Sequence, residues 1–215
     1  MNSRQAVAQI KATDMTPKEQ EILEVASRYF LGHGYRGTSI NAMARDSGIS
    51  KESIYRYFSS KKDLFEAVVA KGLAEYKQRL EFLEVETGSA TLKETLVAAA
   101  ESILSLLNDA DMLALRRLIF HEAETTPEIG AYYYEIGPRA AYAYLEKIFR
   151  NNRHCSTFPP AKLAHYFVAL VVHYPLLRRQ CGVATELSQR KIRAHAAEVT
   201  SDFLTAYFDQ GHSRE

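Results

Sequence analysis

The 215-residue sequence has no tryptophan, only two cysteines and no long uninterrupted apolar run. Cys155 and Cys181 stand far apart and outside any C-x-x-C pattern. That spacing excludes a disulfide framework and a zinc knuckle, and it fits a reduced protein of the cytoplasm. No stretch approaches the roughly 18 consecutive apolar residues of a membrane span, so no membrane partner is expected. The opening residues M-N-S-R-Q-A-V-A-Q-I-K lack the apolar centre of a signal peptide, and 1–15 are expected to form a flexible arm. An excess of charge is missing as well. With 27 Lys/Arg against 26 Asp/Glu the net charge is +1, too small to steer the whole molecule toward nucleic acid.

What is present is distributed unevenly. Residues 1–62 hold ten Lys/Arg and six Asp/Glu, a balance of +4, and residues 63–215 hold seventeen and twenty, a balance of −3. The 47% hydrophobic content can fill the core of one large domain or two small ones. Strand-like alternation, repeats and low-complexity runs are absent, and the apolar residues recur at helical spacing. The fold class expected is all-α.

The helix signals are local and specific. T-P-K-E at 16–19 offers Thr16 as cap, Pro17 at the first helical position and Glu19 to complete a capping box. Gly32 and Gly34 are expected to end that helix. Thr38 or Ser39 opens a second short helix that Gly48 stops, Ser50 opens a third, and Ser59 or Ser60 a fourth running toward residue 84. E-T-G-S-A at 86–90 is the best candidate break. Beyond it the periodicity predicts helices over about 91–107, 111–124, 128–151, 160–181 and 187–209. Pro175 falls inside the fourth of these and is expected to kink or shorten it. The domains expected are the arm at 1–15, a helix-turn-helix domain at 16–62, a connecting helix and linker at 63–90, a ligand-binding and dimerisation domain at 91–209 and a tail at 210–215.

The segment G-I-S-K-E-S-I-Y-R-Y-F-S-S-K-K-D-L-F at 48–65 mixes aromatic and basic residues. Two short helices joined by D-S-G-I-S have the sequence shape of a helix-turn-helix. On the third helix Ile54 and Phe58 point inward by period, which leaves Lys51, Glu52, Tyr55, Arg56 and Tyr57 around the exposed arc. Hydroxyls and ammonium groups there can bond phosphates, Arg56 can read guanine edges, and the rings can touch thymine methyls.

The run ILEVASRYFLGHGYRGTSINAMARDSGISKESIYRYFSSKKDLF resembles the N-terminal DNA-binding domain of the TetR family of bacterial transcription regulators. The matching elements are F-x-x-x-G-Y-x-x-T-S-I, A-x-x-x-G-I-S-K and I-Y-x-Y-F-x-S-K-x-x-L. The resemblance implies a two-domain all-α homodimer that binds a near-palindromic operator in double-stranded DNA and is released by a small-molecule effector. It places phosphate contacts on Thr38 or Ser39, Lys51, Tyr55, Tyr57 and Lys62, and base contacts on the exposed part of the third helix. Glu52 departs from the family, where the position is often small. Its carboxylate either accepts from cytosine N4 or pairs with Arg56 at i+4.

The stretch LRRLIFHEAETTPEIGAYYYEIGPRAAYAYLEKIF is similar to the C-terminal domain of AefR-like members. Its aromatic density suits a pocket for an apolar or aromatic effector. The residues put forward for that pocket are Phe120, His121, Glu124, Tyr134, Tyr142, Phe167 and Tyr174. The same resemblance puts the last two helices at the dimer interface, through Phe167, Leu170, Val171, Tyr174 and Leu177 on one and Phe203 and Tyr207 on the other. The seven histidines show no ligand spacing, so neither metal nor cofactor is expected. Two other classes stand beside the repressor reading. One is a small all-α enzyme using the Tyr/His-rich C-terminal region, although no catalytic motif is present to serve it. The other is a DNA-binding protein without a ligand.

Overall fold

The computed structural model describes residues 15–81, 90–152, 156–183 and 187–208. All of the expected arm but Met15, most of the break at 86–90 and the tail lie outside them. Every regular element among the described residues is a helix. In chain order they are α1 (Pro17–Gly37), α2 (Ile40–Ser47), α3 (Lys51–Tyr57), α4 (Lys61–Glu81), α5 (Leu92–Asn108), α6 (Ala110–Ala123), α7 (Pro127–Ile136), α8 (Pro138–Asn151), α9 (Pro160–Gln180) and α10 (Gln189–Tyr207). Packing divides them into two units. The first comprises the described residues up to Lys77 with Asp111–Tyr134, and the second comprises Gln78–Ala110 with those from Glu135 onward.

In the first unit the start of α1 is the capping box the sequence spells out. The Thr16 hydroxyl accepts from Glu19 N at 3.3 Å, and the Glu19 carboxylate accepts from Thr16 N at 2.8 Å. Such a cap is worth about 1 kcal/mol. Gly32 stays in regular helix, and the irregularity falls on Gly34 alone, at φ 70° and ψ 174°. That left-handed value suits a residue without Cβ. Just beyond it, Tyr35 packs on Phe65, with ring centroids 4.9 Å apart, and Phe65 meets Phe30 at 5.3 Å. Phe30, Ile22 and Leu23 from α1, Met43 from α2, Ile54 from α3 and Leu64 from α4 are fully buried around these rings.

The second unit centres on an aromatic cluster. Phe203 of α10 packs against Phe167 of α9 at 5.0 Å and Phe149 of α8 at 5.6 Å, and Phe208 lies 5.9 Å from Phe149. A polar tie closes the other end. Asn108, the last residue of α5, donates to Leu187 O at 2.9 Å and accepts from Leu187 N at 2.7 Å and from Arg179 Nη1 at 2.9 Å.

One expectation is corrected here and another is narrowed. The helix expected over 128–151 is broken into α7 and α8 at Gly137, because Pro138 has no N–H for the ladder and disfavours helical backbone in the residue before it. Conversely, α9 is not shortened by Pro175 and continues to Gln180. Proline at 175 leaves Val171 O without its donor from the helix. His195 Nε2 of α10 lies 3.1 Å from that oxygen, and since a carbonyl only accepts, Nε2 carries the proton.

His195→Ala is therefore expected to lower unfolding stability by about 1–2 kcal/mol, the cost of stranding a half-buried carbonyl. In a Pro175→Ala background, where residue 175 can donate to Val171 O itself, the same change should cost much less. A double-mutant cycle in urea reads the difference; equal costs in the two backgrounds would refute the rescue.

Candidate nucleic-acid interface

The two helices that make the interface are short and each is capped by a serine. Ser39 Oγ accepts from Ala42 N at 3.3 Å to open α2, and Ser50 Oγ accepts from Ser53 N at 3.1 Å to open α3. Gly48 turns the chain between them at φ 72°, in the left-handed region. The turn sets α3 so that Ile54 and Phe58 are buried and Lys51, Glu52, Tyr55 and Arg56 are exposed, with Tyr57 half-buried. Of the four serines and threonines expected as caps around α2 and α4, the structure selects Ser39 and Ser60. Ser60 Oγ accepts from Asp63 N at 3.0 Å.

Cations and rings on this face are already paired with each other. Lys51 Nζ lies 5.8 Å from the Tyr55 ring centroid, and the Arg56 guanidinium lies 5.2 Å from that of Tyr57 while Nη2 donates to Ser53 Oγ at 3.4 Å. At the start of α4, Lys61 sits 4.7 Å over the Tyr35 ring, and the exposed Lys62 is 3.8 Å from Glu66. These contacts pre-orient long side chains that would otherwise lose rotamer freedom on binding. Each is weak enough at the surface to be exchanged for a phosphate oxygen.

Thr38 does not belong to this surface. It is 3% exposed, and its hydroxyl is directed inward at Tyr29 O (3.1 Å) and Gly34 O (2.8 Å). Ser39 is exposed. Its cap uses one lone pair and leaves the O–H free to donate.

A clamp that sequence reasoning missed fixes α2 on α1. The Tyr29 hydroxyl donates to Asp46 Oδ2 at 2.7 Å, and Arg45 Nε donates to Oδ1 at 3.0 Å. The Tyr29 hydrogen bond, then that from Arg45, holds the Asp46 carboxyl below its ordinary range, and the same carboxylate raises the Tyr29 phenol. The partners are seventeen residues apart, so no local pattern signals them.

The residues put forward for an effector pocket fall in both units. Phe120, His121, Glu124 and Tyr134 belong to the first unit, and Tyr142, Phe167 and Tyr174 to the second. Phe120 is exposed, its ring edge-on to Tyr133 at 5.8 Å and beneath the Arg116 guanidinium at 4.9 Å. Glu124 and Tyr134 are exposed, and Tyr142 is half-buried with its ring 4.7 Å from His165. Phe167 is fully buried in the aromatic cluster, so it has no surface to offer a ligand. His121 borders a recess of about 210 Å³ with Leu31, Gly34, Arg117 and Leu118. The buried carboxylate of this region is Glu122 rather than Glu124, and its Oε1 has no hydrogen-bond partner among the described residues, with His121 Nε2 4.0 Å away. The signal was available, since Glu122 continues the inward stripe of Leu115 and Ile119 at helical period.

The interface stripe on α9 separates into two faces. Phe167 and Val171 have no exposed surface and point into the unit, as does Phe203 of α10, and Tyr207 is half-buried. Leu170, Tyr174 and Leu177 stand outward, exposed at 47%, 61% and 47%. Helical geometry makes this unavoidable, since residues 170 and 171 point about 100° apart.

A serine-capped helix with a cationic and aromatic outer arc, set behind a glycine turn, defines a helix-turn-helix DNA-binding protein. Residues 22–68 match the bacterial regulatory proteins of the tetR family, and residues 94–209 match the AefR-like transcriptional repressor C-terminal domain. The HTH-type transcriptional repressor AcnR of Corynebacterium diphtheriae is 29% identical over 142 residues, which is 66% of this chain and 69% of that one. The fold is similar to that of a TetR-family transcriptional regulator of Mesorhizobium loti MAFF303099, with a TM-score of 0.71, 26% identity and coverage of 91% and 100% of the two chains. It is also similar to the flavonoid-responsive regulator FrrA, with a TM-score of 0.68, 27% identity and coverage of 90% and 98%. The chain belongs to the TetR family and is a transcriptional regulator, not an enzyme. No helix among the described residues is long and apolar enough to cross a membrane.

Proposed function

We propose that this regulator acts in the cytoplasm as a dimeric repressor, binding a near-palindromic operator and releasing it when a small apolar or aromatic effector binds. The observation that carries the reading is the outer face of α3, where Lys51, Tyr55 and Arg56 stand exposed over a buried Ile54 and Phe58. Residues 16–62 are the DNA-binding domain in this reading, 63–90 the connection and 91–209 the effector and dimer domain. Two copies of α3 enter successive major grooves about 34–36 Å apart, or a multiple of a turn. Ser39, Lys51, Tyr55, Tyr57 and Lys62 hold phosphates and fix the register, and Arg56 reads a base edge.

The dimer is supported by the exposed apolar row Leu170, Tyr174 and Leu177 on α9, a surface that a soluble monomer rarely leaves open. An aromatic effector is supported by likeness to a flavonoid-responsive regulator. Effector binding lowers operator affinity by favouring a different separation of the two α3 helices, a shift in population between two arrangements.

Selection of bound sequences from a random duplex pool, followed by binding at graded salt, tests the reading. A palindrome with a steep salt dependence is expected, and absence of any enriched sequence would defeat it. Lys62→Ala or Tyr55→Ala should weaken binding to operator and random duplex alike. Arg56→Ala should cost about 1–3 kcal/mol on the operator and less on random DNA. Equal losses on both DNAs would remove Arg56 from base readout.

A further inference from the structure

Glu52 is the one acidic residue on the outer face of α3, and it is exposed. Its i+4 neighbour Arg56 is the obvious cationic partner, but the guanidinium is turned to Ser53 Oγ and the Tyr57 ring. Lys51, its other cationic neighbour, lies toward the Tyr55 ring. No hydrogen bond or ion pair engages the Glu52 carboxylate among the described residues. The second acidic group nearby, Asp46, is different, being held by both Tyr29 and Arg45.

A free carboxylate on a face built to meet phosphates is repelled by them, so it weakens sequence-independent binding. It can gain only where the groove offers a donor. The major groove presents two, cytosine N4 and adenine N6, whereas guanine O6 and N7 and thymine O4 are acceptors that repel it. Adenine places its N7 acceptor beside N6, against the second carboxylate oxygen. Cytosine places a non-polar C–H beside N4 and has no such conflict. We propose that Glu52 specifies a cytosine in each half-site of the operator, by accepting a hydrogen bond from N4 in the major groove. The assignment rests on the operator-binding reading above. The same charge then serves twice, favouring one base and loosening the grip on every site that lacks it.

The test is selection from a random duplex pool with the full-length protein as wild type, Glu52→Gln and Glu52→Ala. Because Glu52 is exposed and unpartnered, neither variant should change the helical circular dichroism. The wild type is expected to enrich a C·G pair at one fixed position of each half-site and to prefer it about tenfold over the other pairs. Glu52→Gln should move that position toward adenine, because an amide pairs with N6 and N7 together. Glu52→Ala should lose the preference there, keep the rest of the palindrome and bind random duplex more tightly than wild type. If Glu52→Ala keeps the wild-type base at every position, Glu52 reads nothing and the assignment falls. If wild type enriches no sequence at all, the operator reading itself falls and takes this assignment with it. The two failures are told apart by the wild-type selection alone.

Discussion

Glutamate at both Leu170 and Tyr174 is expected to give a monomer by sedimentation and to reduce operator affinity by about a hundredfold or more. The two side chains are among the most exposed large apolar groups of the described chain, one turn apart on α9, with Leu177 continuing the row. Burying the row against a second copy removes apolar surface from water at about 25 cal/mol per Å². Two carboxylates placed in the same contact would have to be desolvated without partners, and association would fail. A dimer holds its second recognition helix at a high local concentration near the second half-site. A monomer loses that linkage, and affinity drops by two to four orders of magnitude in typical bivalent systems. Because both positions already face solvent, the variant should keep its helical circular dichroism and its unfolding midpoint. An unchanged sedimentation mass would show that this face is not the interface.

Phe203→Ala is the change expected to damage the fold most. Phe203 is fully buried on α10 and touches Phe167, Phe149, Tyr207 and Phe208, with ring centroids between 5.0 and 6.0 Å. Truncation removes the ring's burial and opens a cavity among aromatic side chains that cannot close over it, a loss of about 3–5 kcal/mol. That is a large fraction of a typical stability of about 5–15 kcal/mol. Chemical denaturation should show the loss at every protein concentration, because the contacts lie within one chain. Phe203 was expected from the sequence at the dimer interface. A loss of association with an intact folding midpoint would restore that assignment, and a lowered midpoint places the residue in the core.

The stripe Phe167, Leu170, Val171, Tyr174 and Leu177 was recognisable as apolar and helical. Its division into a buried pair and an exposed row follows from which side α8 and α10 cover, and nothing in α9 itself states that. Thr38 and Ser39 are equivalent as capping residues in the sequence. In the fold the Thr38 hydroxyl turns inward to Tyr29 O and Gly34 O, leaving Ser39 to cap α2 and to face solvent. The effector pocket was the least legible part, because aromatic content alone does not distinguish a ring in a packed cluster from one on a surface.

Local signals in the chain fix the helix boundaries around the turn, the inward pair Ile54 and Phe58 and which residues of α3 face outward. Those features depend on capping, φ preference and period, which act over about four residues. Tertiary structure decided the contacts between distant segments. Tyr29 meets Asp46 across 17 positions, His195 answers the carbonyl that Pro175 frees across 24, and Asn108 binds Leu187 across 79. A buried polar group must find a partner wherever the packed chain supplies one, and that partner is chosen by how the helices stack rather than by the order of neighbouring residues.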